Sequence, residues 1–159
     1  MGLDMYLDKC NRKAYGYKNF DIDELKENNV KLYNEIKPFL VMRGKYIHWE
    51  SIFEEVGYWR KANAIHNWFV QNVQNGVDNC EYYEVNKEQL EELLSICKKI
   101  MEDKTLASEY LPTTSGFFFG TTEYDEWYFE DIEYTIELLT KTLEETDFDN
   151  EMICYSSSW

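Results

Sequence analysis

Two prolines and seven glycines in 159 residues leave no room for a long linker, and no stretch rich in Pro, Gly or Ser divides the chain. One domain over residues 1–159 is therefore expected, with roughly two-thirds of the extended-chain surface buried on folding. Histidine is scarce too: His48 and His66 are the only two. The four cysteines (Cys10, Cys80, Cys97, Cys154) are far apart and form no C-x-x-C. Zinc needs clustered ligands, so no metal site is expected. The thiols read as reduced, with Cys80 on a strand and Cys97 on a helix face where both would be buried. No run reaches the ~18 apolar residues of a membrane span, and Asp4 and Asp8 interrupt the start before a signal-peptide core can form. A cytoplasmic protein is expected. Signatures for Walker A, Rossmann, kinase, zincin, serine hydrolase and zinc-finger chemistry are all missing, which points away from the common enzyme classes and from any cofactor.

Positive charge is what the last third lacks. Glu123 to Glu151 holds 12 Asp or Glu and one Lys. The first 61 residues carry +1 and the remaining 98 carry −16, giving the net −15 of the chain. An imbalance of this kind says little about fold and much about partners: it suits a surface that meets something cationic. It is not the composition of a disordered acidic tail. An apolar share of 44%, with 13 Tyr, 9 Phe and 5 Trp, is enough to build a core.

Periodicity then places the elements. Met1, Leu3, Met5 and Leu7 alternate with Gly2, Asp4 and Tyr6, the period of a half-buried strand. Asp21 is a candidate N-cap for a helix carrying Ile22, Leu25, Leu32, Tyr33 and Ile36, which Pro38 should end by Lys37. Tyr46 to Trp49 reads as a short strand. A second helix is expected from about Tyr58 to Asn75 on the stripe Ala62, Ile65, Phe69 and Val73, with Gly76 as its stop. Cys80 to Val85 reads as a strand. Asn86 with Gln89 three positions on opens a helix whose buried face is Leu90, Leu93, Leu94, Cys97, Ile100 and Met101. Leu106 to Gly120, with its SGFFFG segment, reads as a loop entering a buried strand. Asp125 caps a last helix, to about Glu145, on Tyr128, Ile132, Ile136, Leu139 and Leu143. Met152 to Trp159 closes the chain as a strand. Without a βαβ rhythm, the expected class is α+β, a mostly antiparallel sheet with about four packed helices.

On a helical wheel, Glu126, Glu130, Glu133, Glu137 and Glu144 of the last helix fall within roughly 60° of one another, opposite the apolar face. The ridge is about 27 Å long at 1.5 Å per residue. Trp127, Tyr134 and Leu138 form a strip beside it. Like charges three or four apart destabilise an isolated helix by a few tenths of a kcal/mol per pair, about 1 kcal/mol in all, and only Lys141 relieves them. Glu126, Trp127, Glu130, Glu133, Tyr134 and Glu137 are therefore the expected partner-binding set, since aromatics beside charge are common interface anchors. An alternative ligand-binding set is Arg60, Asn63 and His66, an arginine, an amide and an imidazole suited to a phosphorylated small molecule. No nucleophile or carboxylate keeps a spacing to them that would assemble a catalytic group.

The opening MGLDMYL, the EVGYWRKANAIHNWFV block, LPTTSGFFFG with YDEWY, and the closing SSSW resemble a group of small phage and prophage proteins over most of the chain. Length, acidity and the Asn/Lys/Glu-rich style are similar to small type II anti-CRISPR proteins of staphylococcal mobile elements. That resemblance implies a non-catalytic inhibitor in the host bacterial cytoplasm, binding a basic surface of the CRISPR effector nuclease ribonucleoprotein, without direct nucleic-acid binding and without a membrane. Such inhibitors occupy the PAM-reading site or hold the HNH nuclease domain away from its active position. Aromatics beside the acids favour the HNH mode.

Overall fold

The computed structural model describes residues 2–16, 22–39, 42–43, 46–47 and 53–159. In chain order they form β1 (Asp4–Asn11), α1 (Arg12–Gly16), α2 (Ile22–Asn28), α3 (Val30–Ile36), β2 (Met42–Arg43), β3 (Tyr46–Ile47), β4 (Glu54–Arg60) and α4 (Asn63–Asn72). There follow β5 (Tyr83–Val85), α5 (Lys87–Glu102), α6 (Ala107–Tyr110), α7 (Glu126–Glu145) and β6 (Glu151–Ser158). This is a single-domain α+β fold, as the irregular alternation of patterns predicts. Its sheet is antiparallel throughout, in the order β4-β1-β6-β5, and β2 pairs separately with β3.

The alternation in β1 sets which side of the sheet becomes the core. Leu3, Met5 and Leu7 are fully buried on one face, where Ile153 and Tyr155 of β6 and Trp59 of β4 join them. Helices α4, α5 and α7 cover that face with Ile65, Phe69, Leu90, Leu93, Ile132 and Leu139. Each such side chain contributes about 1.5–3 kcal/mol when fully buried. The opposite face carries a smaller cluster, Cys10, Met152 and Cys154, with Tyr15 and Phe53 against it. β6 is thus covered on both sides, which explains why a strand ending in three serines is buried almost to its end.

Two of the expected helix starts rest on the capping chemistry that the sequence suggests. Asn86 Oδ1 accepts from the Gln89 N–H at 2.8 Å and Gln89 Oε1 accepts from the Asn86 N–H at 2.9 Å, a reciprocal box at the head of α5. Asp125 accepts from the Tyr128 N–H at 3.1 Å and opens α7. The first helix is in two pieces: Asn29 breaks it and caps the second, accepting from the Leu32 N–H at 3.1 Å. The expected cap Asp21, and His48 and Trp49 of the expected short strand, lie outside the described residues.

Five expectations are corrected. The second helix begins at Asn63, not Tyr58, because Glu54–Arg60 is the edge strand β4. Val56, Tyr58 and Trp59 are strand formers, and Gly57 lies where Leu138 of α7 crosses. A Cβ there would clash with the Leu138 Cδ2. Leu138 is accordingly 7% exposed and belongs to the core, not to the strip beside the acids. The stripe of α4 is as expected, but the helix ends at Asn72, and Gly76 turns the chain a few residues later (φ +77) with its N–H on the Val70 carbonyl. The SGFFFG segment is a turn rather than a buried strand: Phe117 is 94% exposed, while Phe118 and Phe119 are half-buried. Cys80 is exposed, because β5 spans only Tyr83–Val85.

Candidate functional site

Helix α7 divides the acids from the core. Tyr128, Ile132, Thr135, Leu138, Leu139 and Thr142 are buried, while Glu126, Glu130, Glu133, Glu137 and Glu144 are all exposed along one side. None of these carboxylates forms an ion pair among the described residues. Lys104, from the turn after α5, is one cation brought beside them. It stands 4.4 Å over the Phe129 ring and lines a furrow with Glu126, Glu130 and Glu133. A helical wheel shows only Lys141; Lys104 arrives through tertiary packing and eases the repulsion without closing a bridge.

The two aromatics predicted beside the ridge differ. Trp127 is 72% exposed. Tyr134 is at the edge of the sheet: its hydroxyl accepts from the Tyr58 N–H of β4 at 3.3 Å, and its ring meets Trp59 edge-on at 6.1 Å. It satisfies a backbone donor that an edge strand would otherwise leave open. Trp59 itself donates its indole N–H to the Thr135 hydroxyl at 2.9 Å, pinning α7 to β4.

The Arg60, Asn63 and His66 set is not brought together as one binding face. Asn63 is 4% exposed, and its Nδ2 donates to the carbonyls of Phe119 (3.0 Å) and Thr121 (2.8 Å) while its Oδ1 accepts from the Thr114 N–H (3.0 Å). It is the clamp that shapes the 113–123 loop. His66 is 1% exposed between the Tyr155 hydroxyl (Nδ1, 2.7 Å) and the Asp78 carboxylate (Nε2, 3.2 Å). Asp78 also accepts from the Trp159 indole N–H at 3.2 Å. Burial pushes the His66 pKa down despite the opposing pull of Asp78, so a neutral ring with Nε2–H toward Asp78 fits the geometry. Arg60 is open to solvent, 3.9 Å from the Asp4 carboxylate.

One cavity of about 270 Å³ joins parts of both sets. It lies between the β4–α4 connection, the clamped loop and the first turns of α7, with Arg60 and Asn63 on one side and Trp127 and Glu130 on the other. Lys61 bends the chain there with φ 62, a left-handed conformation unusual for a side chain of its size. Asp131 also lines the cavity, and its carboxyl is pushed up to about 7 by burial and then by Glu130 and Asp125. Asp131 was not among the sequence candidates. The available signal was its place between Tyr128 and Thr135, both core positions, which turns an acid toward the covered side of the helix. Among the described residues no cluster of His, Cys, Asp and Glu is placed to hold a metal ion, and no helix is long and apolar enough to cross a membrane. No protein-family model matches the chain, and neither a curated protein nor a solved structure matches it.

Proposed function

We propose that the protein is a non-catalytic inhibitor that docks the acidic side of α7 on a basic surface of a nucleic-acid-handling partner. The observation that carries this is a ridge of exposed carboxylates with no ion pair among the described residues, flanked by Trp127 at 72% exposure. Such a face accelerates encounter with a cationic surface, and a desolvated indole then slows release. The partner proposed from the sequence resemblance is the type II CRISPR effector nuclease in the cytoplasm of a phage host, engaged at its HNH domain so that DNA cleavage stops. An indole anchor favours a protein–protein contact over pure phosphate mimicry. The alternative, a phage enzyme or nucleotide-sequestering protein using Arg60, Asn63 and His66, loses two of its three groups to internal hydrogen bonds.

The test is a titration of target-DNA cleavage by the effector ribonucleoprotein. Inhibition is expected to reach its endpoint near one equivalent of the protein. Progressive inactivation of a large excess of effector by trace amounts contradicts a binding mechanism and makes the protein an enzyme.

A further inference from the structure

The cavity beside α7 is too small for a nucleotide and well sized for one extended side chain. Ligand pockets for drug-sized molecules run to about 300–1,000 Å³, against about 270 Å³ here. Its inner wall is apolar, from Ala62, Ile65 and Ile132, each 3% exposed or less, and from the Tyr128 ring. The Tyr128 hydroxyl is already spent on the Leu111 carbonyl at 2.9 Å, so it offers no donor inward. The other lining groups include Asn63, Thr113 and Thr121 and four carboxylates, Asp131, Glu130, Glu123 and Asp125, the last already accepting from the Tyr128 N–H, with Trp127 beside them. Two cations, Arg60 and Lys61, also line the cavity. Neither forms an ion pair with Asp131; Arg60 lies by Asp4, and the Lys61 stem runs against Gly2 and Gly120.

The geometry points to a pocket for a guanidinium or alkylammonium side chain of a basic partner protein, its aliphatic stem along Ala62, Ile65 and Ile132, its charge on Asp131, and Trp127 closing over it. This deepens the docking reading and rests on it: the ridge steers, and the cavity takes one Arg or Lys of the partner as anchor. The chemistry is complementary at each point. A stem needs apolar walls, a cation needs the Asp131 carboxylate, which forms no ion pair among the described residues, and an indole face attracts a cation. A nucleotide or other anion would meet four carboxylates. Because Asp131 must ionise to hold a cation, occupancy is linked to pH. Burial first, then Glu130 and Asp125, push its carboxyl up to about 7, so binding tightens by roughly tenfold from pH 6 to pH 8 and draws a proton off the pocket near pH 7.

The experiment uses the full chain and N-acetyl-arginine methylamide as probe, with the Trp127 indole N–H signal followed by NMR and assigned by its loss in Trp127→Phe. A saturable shift of that signal is expected, tightening with pH as stated and weakened at least tenfold in Asp131→Asn, which preserves shape. Captured effector ribonucleoprotein forms the second arm, where Asp131→Asn is expected to raise the dissociation rate severalfold. No shift of the Trp127 signal, or equal binding by Asp131→Asn, overturns the pocket. If that happens while a variant with Glu126, Glu130, Glu133 and Glu137 replaced by Gln binds the effector poorly, the docking function survives without it. If the probe binds and the effector does not, the docking reading fails. If the probe binds but Asp131→Asn leaves the effector's dissociation unchanged, the pocket serves a free small cation, which overturns its role as an anchor site.

Discussion

Helices α4 and α7 each present polar residues that stand out in the sequence, and the fold treats them oppositely. On α4, Asn63 and His66 are 4% and 1% exposed, and every hydrogen-bonding side-chain atom has a partner from within the chain. On α7 the carboxylates stay in solvent and pair with nothing among the described residues, and Trp127 is left out with them. A polar group with its partners inside the chain serves folding. A polar group that repels its own neighbours and has no partner stabilises nothing in the free protein, and its value lies in what it meets. The two helices should therefore separate stability from binding when they are mutated.

The largest effect on stability should come from α4. Asn63→Ala removes three hydrogen bonds from a buried position and leaves two carbonyls and an N–H of the 113–123 loop without their partner, a loss of about 3 kcal/mol or more. His66→Ala strands Tyr155 and Asp78 and opens a cavity, at about 2–4 kcal/mol. Thermal or urea unfolding measures both, and effector inhibition by His66→Ala should persist wherever the variant is still folded. Loss of inhibition with an unchanged melting temperature would move His66 from the folding side of the comparison to the binding side.

Next in size is Trp127→Ala. The indole is mostly solvent-exposed, so unfolding should shift by less than about 0.5 kcal/mol, while dissociation from the effector should quicken by roughly tenfold or more, the loss expected of an interface anchor. Tyr134→Ala is predicted to behave differently. It exposes the Tyr58 N–H at the edge of β4 and removes an edge contact with Trp59, so it should lower stability by about 1 kcal/mol in addition to any effect on binding.

Asp131 provides a pH test inside α7. Its carboxyl is raised to about 7 by burial, then by Glu130 and Asp125. An acid whose pKa is higher folded than unfolded holds its proton better in the native state. Ionising it therefore removes stability progressively as pH climbs from near 4 to 7. Asp131→Asn should raise stability by about 1–2 kcal/mol above pH 7 and change it little at pH 3.5. Asp8, raised to about 6 by burial and Glu55, acts in the same direction. His66, whose pKa is lowered, acts against them, since stability falls as pH drops below the ordinary histidine value. Unfolding free energies measured across this range for parent and Asp131→Asn give the answer directly.

Local chemistry was the legible part of this fold. Caps at Asn86 and Asp125, the stripe of α4 and the alternation of Leu3, Met5 and Leu7 depend on neighbours a few residues away, and a sequence displays those. What it hid was tertiary. Nothing local says that Glu54–Arg60 pairs with β1 as an edge strand, or that Gly57 lies beneath Leu138 and so leaves Leu138 in the core. Nor does the SGFFFG pattern reveal that Asn63, more than fifty residues earlier, holds this loop as a turn and leaves Phe117 in solvent. The ridge could be read from the wheel because exposure on a long amphipathic helix follows from its period. The cavity could not, since three separate segments build it.

The smallest effect on stability, and the most direct test of the docking face, comes from replacing Glu126, Glu130, Glu133 and Glu137 by Gln. Removing the repulsion should leave the fold at least as stable, by up to ~1 kcal/mol. The decisive measurement is the association rate with captured type II effector ribonucleoprotein at low and at physiological salt. Association slowed by about tenfold or more at low salt, with the gap narrowing as salt rises and dissociation little changed, is the predicted result. Rates equal to the parent's at both salt concentrations would contradict the account and leave the acidic side of α7 a solvated surface.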